Sequence, residues 1–214
     1  YNFSRFDKSY KKNKIIYLTT NSGYGIGEKN KFCDENSPLN PISLYGRTKC
    51  DGEDLVRLKV KNYVCFRLAT VFGHSYRMRS DLLVNNFVYT ALKKKKLTLF
   101  EPHFRRNFIH VRDVANAIIF TMKNFNKLKN NVYNLGLSSA NISKIILAKK
   151  IKKHYKKLKI QIVKNRKDPD KSDYFVSNKK IEKKGFKANI SLDEGISELI
   201  QVFKNDKNKV VNNY

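Results

Sequence analysis

The chain has 214 residues, of which 41% are hydrophobic and 12% aromatic, and its formal charge is +27. This composition is that of a folded globular protein, and no apolar run approaches the roughly 20 residues of a membrane-spanning helix, so we expect no membrane contact. Most of the positive charge is carried by lysines, some of them in runs such as 92–97 and 149–159. These favour a lysine-rich surface over a nucleic-acid site, because such sites usually add arginines and exposed aromatic residues.

The pattern of apolar runs predicts alternating strands and helices. In chain order we expect strand 14–20, helix 43–62, strand 63–73, helix 81–96, strands 97–101 and 106–111, helix 112–125, strand 131–137, helix 141–157, strand 159–164 and helix 192–205. Such alternation predicts an α/β fold with a largely parallel sheet.

The cysteines and histidines give little sign of a special site. Cys33, Cys50 and Cys65 are odd in number and form no C-x-x-C pair, which favours a reducing cytoplasm and argues against a disulfide framework. The four histidines show no metal-ligand spacing, so we expect no metal. We interpret His110, inside a predicted strand, as a core residue.

Three glycines follow the first predicted strand, in "TTNSGYGIGE". Gly23, Gly25 and Gly27 resemble the start of a G-x-G-x-x-G dinucleotide loop, but Glu28 stands where the third glycine belongs, and no helical pattern follows. We therefore expect a sharp turn at the carboxyl end of the strand. In open α/β sheets ligands bind at that end, although a turn without a ligand stays an alternative.

Tyr45 and Lys49 lie four residues apart in a predicted helix and so share one face. A phenol with a pKa near 10 is a poor acid or base at neutral pH, and an adjacent ammonium group stabilises the phenolate and lowers that pKa. Thr20, at the end of the first strand, is a hydroxyl that could share a substrate's proton. Taken alone, the pair also fits a surface lysine beside a tyrosine that only packs against its neighbours.

Four ordered motifs, "TTNSGYG", "YGRTK", "FRLATVFG" and "RRNFIHVRDVANAI", together resemble the extended short-chain dehydrogenase/reductase family, which acts on nucleotide sugars. The resemblance runs over almost the whole chain. It implies the C-terminal portion of a Rossmann-type doubly wound parallel sheet with a smaller substrate-binding α/β subdomain. The family's first βαβ units, with their glycine-rich loop, would precede residue 1, so we expect a longer enzyme.

The same resemblance implies a division of the chain. Residues 1–73 would form the C-terminal half of an NAD-binding domain, with residues 1–12 ending a helix. Residues 74–214 would bind the nucleotide sugar, and residues 105–135 would return to the Rossmann side. It further implies a homo-oligomer of the full-length enzyme.

Site residues follow from the resemblance, position by position. Thr20, Tyr45 and Lys49 match the catalytic residues, and the implied cofactor is NAD, held by Thr19, Tyr45, Lys49, Ala69 and Thr70. The residues expected to bind the substrate are Asn21, Ser22, Arg77, Arg79, Asp81, Leu82, Arg106 and Asp170. Arg106 matches an arginine on the diphosphate, unless it is a surface residue, and Asp170 matches an acid on a ribose hydroxyl. Arg77 and Arg79 either contact sugar or phosphate or are solvated.

The expected reaction is oxidation at C4 of a nucleotide sugar. Family dehydratases carry Asp-Glu directly after the threonine, whereas Asn21 and Ser22 stand here and cannot act as a carboxylic acid or base. Segments such as "RMRSDLLVNNFV" and "DPDKSDYFVSN" resemble family members that oxidise C4 of a GDP-heptose for polysaccharide precursors. A 4-epimerase is the alternative within the family, and a catalytically inactive basic binding protein is the alternative of another class.

Overall fold

The computed structural model describes residues 13–28, 31–163 and 172–205. Asp170 and the helix end predicted at 1–12 lie outside these ranges. The strands are β1 Ile15–Thr20, β2 Phe32–Cys33, β3 Tyr63–Leu68, β4 Thr70–Phe72, β5 Lys96–Leu99, β6 Arg105–His110, β7 Asn131–Leu135, β8 Asn141–Ser143, β9 Lys159–Ile162 and β10 Phe175–Val176. The helices are α1 Leu44–Lys59, α2 Leu83–Lys94, α3 Val111–Lys123, α4 Phe125–Leu128, α5 Lys144–His154, α6 Lys179–Lys183 and α7 Leu192–Asn205.

A parallel sheet with the strand order β1-β3-β7 forms the first layer. Its central strand, β3, buries Val64, Cys65 and Phe66 completely. A strand covered on both faces reads as a continuous apolar run, which is why the sequence predicts it well. Leu18 of β1 and Tyr133 of β7 pair with Phe66 on either side. The predicted α/β fold with parallel strands is confirmed.

The single strand predicted at 63–73 is wrong, because the chain changes sheets at Ala69. β3 ends at Leu68, and β4 pairs in parallel with β6, with Thr70 opposite Phe108. β6 in turn pairs antiparallel with β8. The N–H of Ala69 still donates to the carbonyl of Leu135 at 2.9 Å. Apolar residues stand on both sides of the break, Leu68 before it and Val71 and Phe72 after it, so hydropathy does not reveal the change of partner.

Two smaller pairs, β5 with β9 and β2 with β10, complete the strands of the described residues, and both are parallel. The strands β2, β8 and β10 have two or three residues each. They were not predicted, because so short a run shows no periodicity of hydrophobic residues. The short helices α4 and α6 were missed for the same reason. α2 ends at Lys94, and the next residue, Lys95, caps the helix with a φ of 53°, in the left-handed region.

One large apolar core joins the sheets to the helices. Phe66, Phe108, Leu147, Ile151 and Leu199 are all fully buried in it, and α2 packs on both α5 and α7. Throughout the ranges that the structure describes, no helix combines the length and the apolar character needed to cross a bilayer.

Candidate active site

A cavity of about 500 Å³ opens at the carboxyl ends of β1 and β3. Parallel strands end at a common edge of their sheet, and in open α/β sheets ligands bind at that edge. The cavity is lined by Thr19, Thr20, Ser22, Tyr45, Leu68, Ala69, Thr70, Val71, Arg79, Asp81, Leu82, Leu83, Arg106, Lys144 and Tyr174. Ten of these residues are among the site residues predicted from the sequence.

Thr20 ends β1 and begins a tight 3-10 turn over Asn21–Tyr24. Its Oγ1 accepts the N–H of Ser22 at 3.1 Å and donates to Ser22 Oγ at 3.2 Å. Gly25 closes the turn with φ of +62°, and a Cβ there would come within 2.1 Å of the Asn40 carbonyl. No helix follows this turn in residues 25–28 or 31–43. The interpretation of the glycines as a turn, and not a dinucleotide loop, is therefore confirmed.

Helix α1 brings Tyr45 to the cavity. Ser43 caps the helix, because its side chain accepts the N–H of Gly46 at 3.0 Å. Gly46 allows a close approach: a Cβ there would lie 3.3 Å from the Ser22 carbonyl. The helix start therefore packs directly on the turn that follows Thr20. Tyr45 is 57% exposed, so its hydroxyl is accessible to a ligand in the cavity.

Lys49, one turn after Tyr45, holds α1 against β1 and does not line the cavity. Its Nζ donates to the Leu18 carbonyl at 3.1 Å and lies 5.6 Å from the centre of the Tyr17 ring. In return, Thr19 Oγ1 donates to the Lys49 carbonyl at 3.3 Å. These contacts fix the position of Tyr45 relative to the end of β1.

The opposite wall begins with a charged pair in the loop before α2. Arg79 donates to both carboxylate oxygens of Asp81, at 2.8 Å and 2.5 Å. These hydrogen bonds hold the pKa of Asp81 below its usual range. Asn85 fixes the loop, because its side-chain amide donates to the Arg79 carbonyl at 2.8 Å. Leu82, the residue before α2, completes this wall.

Arg106 on β6 reaches the cavity although it is only 5% exposed. Its Nη1 donates to the carbonyls of Arg105, at 2.8 Å, and of Ser172. The guanidinium lies 5.5 Å from the centre of the Tyr174 ring. Arg106 is thus a buried residue of the cavity wall, and its alternative interpretation as a surface arginine is wrong.

Three residues predicted for the substrate do not line this cavity within the described residues. Asn21 is 1% exposed, and neither polar atom of its side chain has a hydrogen-bond partner. Arg77 is exposed on the loop before Arg79. Asp170 lies outside the described residues.

A buried ion pair lies next to this edge of the sheet. Arg67 on β3 donates to Glu53 of α1 through Nε and Nη2, with a shortest distance of 2.7 Å. Tyr24, in the turn after Thr20, accepts from Arg67 Nη1 at 3.0 Å. Burial raises the pKa of Tyr24, so its hydroxyl stays protonated. The network ties the turn, α1 and β3 together beside the cavity.

The model of the NAD dependent epimerase/dehydratase family matches residues 5–136. The chain belongs to this family. The predicted epimerase/dehydratase family is therefore confirmed, and the cofactor named in the family's description is the one predicted, NAD. Within the described residues no group of three or more His, Cys, Asp or Glu side chains is arranged to hold a metal.

Two curated members of the family are similar over much of this chain. The putative UDP-glucose 4-epimerase of Methanocaldococcus jannaschii is 26% identical over 208 residues, which are 93% of this chain and 66% of that protein. The dTDP-D-glucose 4,6-dehydratase of Dictyostelium discoideum is 28% identical over 159 residues, covering 67% of this chain and 36% of that protein. The chain therefore spans less than two thirds of the length of either relative.

Solved structures of the family share the fold. The dTDP-glucose 4,6-dehydratase of Bacillus anthracis, in complex with NAD, has a TM-score of 0.78 at 23% identity, over 92% of this chain and 64% of that one. The UDP-glucuronic acid 4-epimerase of Bacillus cereus, in complex with UDP-glucuronic acid and NAD, has the same TM-score and identity over 90% and 62%.

The structure adds lining residues that the sequence did not indicate, chiefly Leu68, Val71, Leu83, Lys144 and Tyr174. Leu68, Val71 and Leu83 are sequence neighbours of predicted site residues, so extending each motif by one residue would have found them. Tyr174 stands in "DPDKSDYFVSN", where the resemblance assigns a role to Asp170 alone. Lys144 is the last residue of "YNLGLSSANISK", a further segment that carries the resemblance, but the resemblance assigns no site residue there.

Proposed function

We propose that this chain carries the catalytic residues and nucleotide-sugar site of an NAD-dependent enzyme that oxidises C4 of a nucleotide sugar. One observation carries the proposal: Thr20, Tyr45 and the buried Arg106 line a single cavity. The cavity thus combines a proton acceptor, Tyr45, with a cation suited to phosphate, Arg106. The predicted division at residue 73, the homo-oligomer and the cytoplasmic pathway to polysaccharide precursors belong to this proposal as expectations.

The described residues fit the nicotinamide end of NAD. Ala69 and Thr70 offer a short, uncharged stretch of cavity wall, and Lys49 and Thr19 bring an ammonium and a hydroxyl to the end of β1. The turn after Thr20 is not a dinucleotide loop, so residues 21–28 do not supply the usual cradle for the pyrophosphate. NAD held by these residues would supply the hydride acceptor for oxidation at C4.

The chain's own residues handle the proton. Tyr45 accepts the proton of the C4 hydroxyl as a general base, and Thr20 shares a hydrogen bond with the same hydroxyl. Loss of the proton from oxygen and of the hydride from carbon leaves a ketone at C4. Lys49 acts on Tyr45 through charge and by holding α1 in place.

Arg106 binds the diphosphate of the substrate, because a guanidinium suits phosphate oxygens in both shape and charge. A GDP-heptose is the substrate that the sequence resemblance favours. Water elimination is disfavoured, because Asn21 and Ser22 carry no carboxyl group and the side chain of Asn21 is buried. The sugar therefore leaves as the 4-keto product.

A 4-epimerase is the second candidate, supported by the similarity to the putative UDP-glucose 4-epimerase. Both reactions begin with the same oxidation at C4. They differ in whether the ketone turns and takes the hydride back on its other face. A sugar held firmly by the wall that carries Arg79 and Asp81 favours oxidation alone.

The test uses the protein expressed from the complete reading frame of its gene and then purified. It is incubated with NAD and a panel of GDP-, UDP- and dTDP-sugars. Reduced nicotinamide is followed by its absorbance, and the sugar by NMR. We expect NADH and a 4-keto sugar in equal amounts. A sugar inverted at C4 without lasting NADH would replace oxidation by epimerisation. Inactivity combined with a shift of nucleic acid at physiological salt would support a binding protein instead.

A further inference from the structure

Two lysine runs of the sequence take no part in the proposed chemistry, and the fold brings them together. Residues 92–97 cover the end of α2 and the start of β5, and residues 149–159 cover the end of α5 and the start of β9. β5 and β9 pair in parallel, with Lys96 opposite Lys159, and the N–H of Lys159 donates to the Lys95 carbonyl at 2.9 Å. Two stretches that are far apart in the sequence therefore meet on one surface.

We call this surface the lysine face and define it by six exposed lysines: Lys94, Lys95, Lys96, Lys156, Lys157 and Lys159. None of the six forms an ion pair within the ranges that the structure describes, whereas Lys150, earlier in α5, pairs with Asp193 at 2.5 Å. Neither lysine run contains an aspartate or a glutamate. Like charges opposite each other on neighbouring strands destabilise the pair, so the Lys96–Lys159 pair gains from an anion that neutralises it.

Lys95 shows that a charge is kept on this surface at a conformational cost. It caps α2 with a φ of 53°, in the left-handed region where glycine is the usual residue. A side chain at such a φ is strained relative to glycine. Because the Lys95 side chain is exposed, packing does not explain the lysine, and its charge is the property that it adds there.

The lysine face lies on the outer side of a strand pair and not on a protruding element. That outer side carries four exposed polar residues, Lys96, Thr98, Lys159 and Gln161. Leu97 and Leu99 point to the other side and are buried in the core, so the strand pair cannot enter the groove of a nucleic-acid duplex. Neither run contains an arginine, and the one aromatic ring of the two runs, Tyr155, is half-buried against the core. The groups that read or stack on bases are therefore missing.

The lysine face and the cavity lie at opposite ends of the same two helices. α2 begins at Leu83 and α5 at Lys144, and both of these residues line the cavity. The helices have 12 and 11 residues and end at the lysine face. At 1.5 Å per residue they separate the two surfaces by about 16–18 Å. A large partner on the lysine face therefore leaves the cavity open.

We propose that the lysine face binds the surface of an anionic lipid bilayer and holds the protein there with its cavity open to solution. Clusters of roughly four to eight basic residues attract anionic headgroups, and each lysine near the surface raises affinity about fivefold. Attraction of this kind needs many negative charges in a plane, and it needs neither arginines nor base-reading groups. The expectation of no membrane contact rested on the lack of a spanning segment, which a contact through surface charge does not require. The inference does not depend on the reaction at C4.

The experiment measures binding of the protein, expressed from its complete reading frame, to sedimenting vesicles. One set contains phosphatidylcholine alone, and the other contains about one third phosphatidylglycerol, which gives the negative surface. We expect the wild type to bind only the anionic vesicles. A variant with glutamine at positions 94, 96, 157 and 159 should bind them on the order of 10²–10³-fold more weakly, from about fivefold for each lysine. Lys95 is left in place, so the helix cap is unchanged.

The matched control removes the same charge elsewhere. Lys123, Lys127, Lys129 and Lys183 are also exposed, and they lie in or next to α3, α4 and α6. Charges more than a Debye length of about 8 Å from the vesicle are largely screened, so glutamine at these four positions should weaken binding less than tenfold. Both variants should keep the wild-type urea midpoint, because all the replaced side chains are exposed.

Three results would overturn the inference. The first is equal binding of the wild type to neutral and anionic vesicles, or binding that does not weaken as salt is raised. The second is equal loss of binding in the two variants. The third is a shift of duplex DNA that the lysine-face variant loses, without binding to anionic vesicles, which would make the partner a nucleic acid. Because vesicle binding is measured without substrate or cofactor, failure of the proposed oxidation leaves this test unaffected.

Discussion

Replacing Glu53 by Gln tests whether the buried pair with Arg67 stabilises the fold beside the cavity. The side chains of Arg67 and Glu53 are 4% and 1% exposed, and three N–O contacts of 2.7 to 3.2 Å join them. Glutamine keeps the size of the side chain and removes its charge. The guanidinium of Arg67 then stays buried without a counter-charge.

Removal of one partner from a buried ion pair costs about 3–5 kcal/mol. Arg67 keeps its contacts with the Tyr24 hydroxyl at 3.0 Å and the Glu35 carbonyl at 3.3 Å, so we expect the lower end, about 3 kcal/mol. For a domain of this size that lowers the melting temperature by about 6–12 °C. The chain has no tryptophan, so urea unfolding is followed by circular dichroism.

The control is the neighbouring residue. Asp54 forms an exposed pair with Arg57 at 3.4 Å, with side chains 62% and 48% exposed. Exposed pairs contribute at most about 1 kcal/mol, so Asp54→Asn should barely move the urea midpoint. The slope of unfolding free energy with urea should stay unchanged in both variants. If the two variants lose unfolding free energy within about 1 kcal/mol of each other, burial does not make the Arg67–Glu53 pair more important than the exposed pair, and the reasoning is refuted.

Three further predictions concern the cavity. Tyr45→Phe should lower turnover about 10²–10⁴-fold by removing the general base, whereas Tyr63→Phe, at the far end of β3, should not; equal turnover in both would place Tyr45 outside the chemistry. Arg106→Ala should weaken nucleotide-sugar binding about ten- to a hundredfold and NAD binding less, and equal effects in calorimetry would argue against a diphosphate contact. The hydrogen bonds from Arg79 lower the pKa of Asp81, so this pair adds stability above a pH of about 4 that is lost as pH falls through the folded-state pKa. Asp81→Asn should therefore lose less stability in urea melts between neutral pH and acid, and an unchanged acid slope would contradict this.

The fold was predictable from sequence where a segment has a single hydrophobic pattern that belongs to one strand or one helix. Val64, Cys65 and Phe66 form a continuous apolar run because both faces of β3 are covered, and α2 and α7 each have one apolar face. Prediction failed at Ala69, where apolar residues continue while the hydrogen-bonding partner changes from β7 to β6. Strand partners are a tertiary property, and a local pattern of hydropathy does not contain them.

The site was predictable where its residues stand in local motifs. Thr20, Tyr45 and Arg106 each lie within a run that the sequence displays whole, and the structure brings all three to one cavity. Lys144 is assigned no role by the segment that it ends, "YNLGLSSANISK", and it is one of 45 lysines and arginines. It reaches the cavity only because β8 pairs with β6, so no periodicity within its own helix could indicate it. Whether these residues act as proposed stays a prediction.

The break at Ala69 links the two halves of the proposed chemistry. β3 stays beside β1, which ends at Thr20, and β4 joins β6, which carries Arg106. One sheet therefore carries Thr20, the proposed hydrogen-bond partner of the C4 hydroxyl, and the other carries Arg106, the proposed phosphate-binding cation. Gly136 keeps this junction tight, because a Cβ there would lie 3.0 Å from the Cβ of Ala69 and 1.6 Å from the side-chain oxygen of Asn107. A continuous strand through Ala69 would carry residues 70–72 onward in the first sheet, so the change of sheet is what lets Leu68, at the end of β3, and Thr70 and Val71, in β4, line one cavity with Arg106.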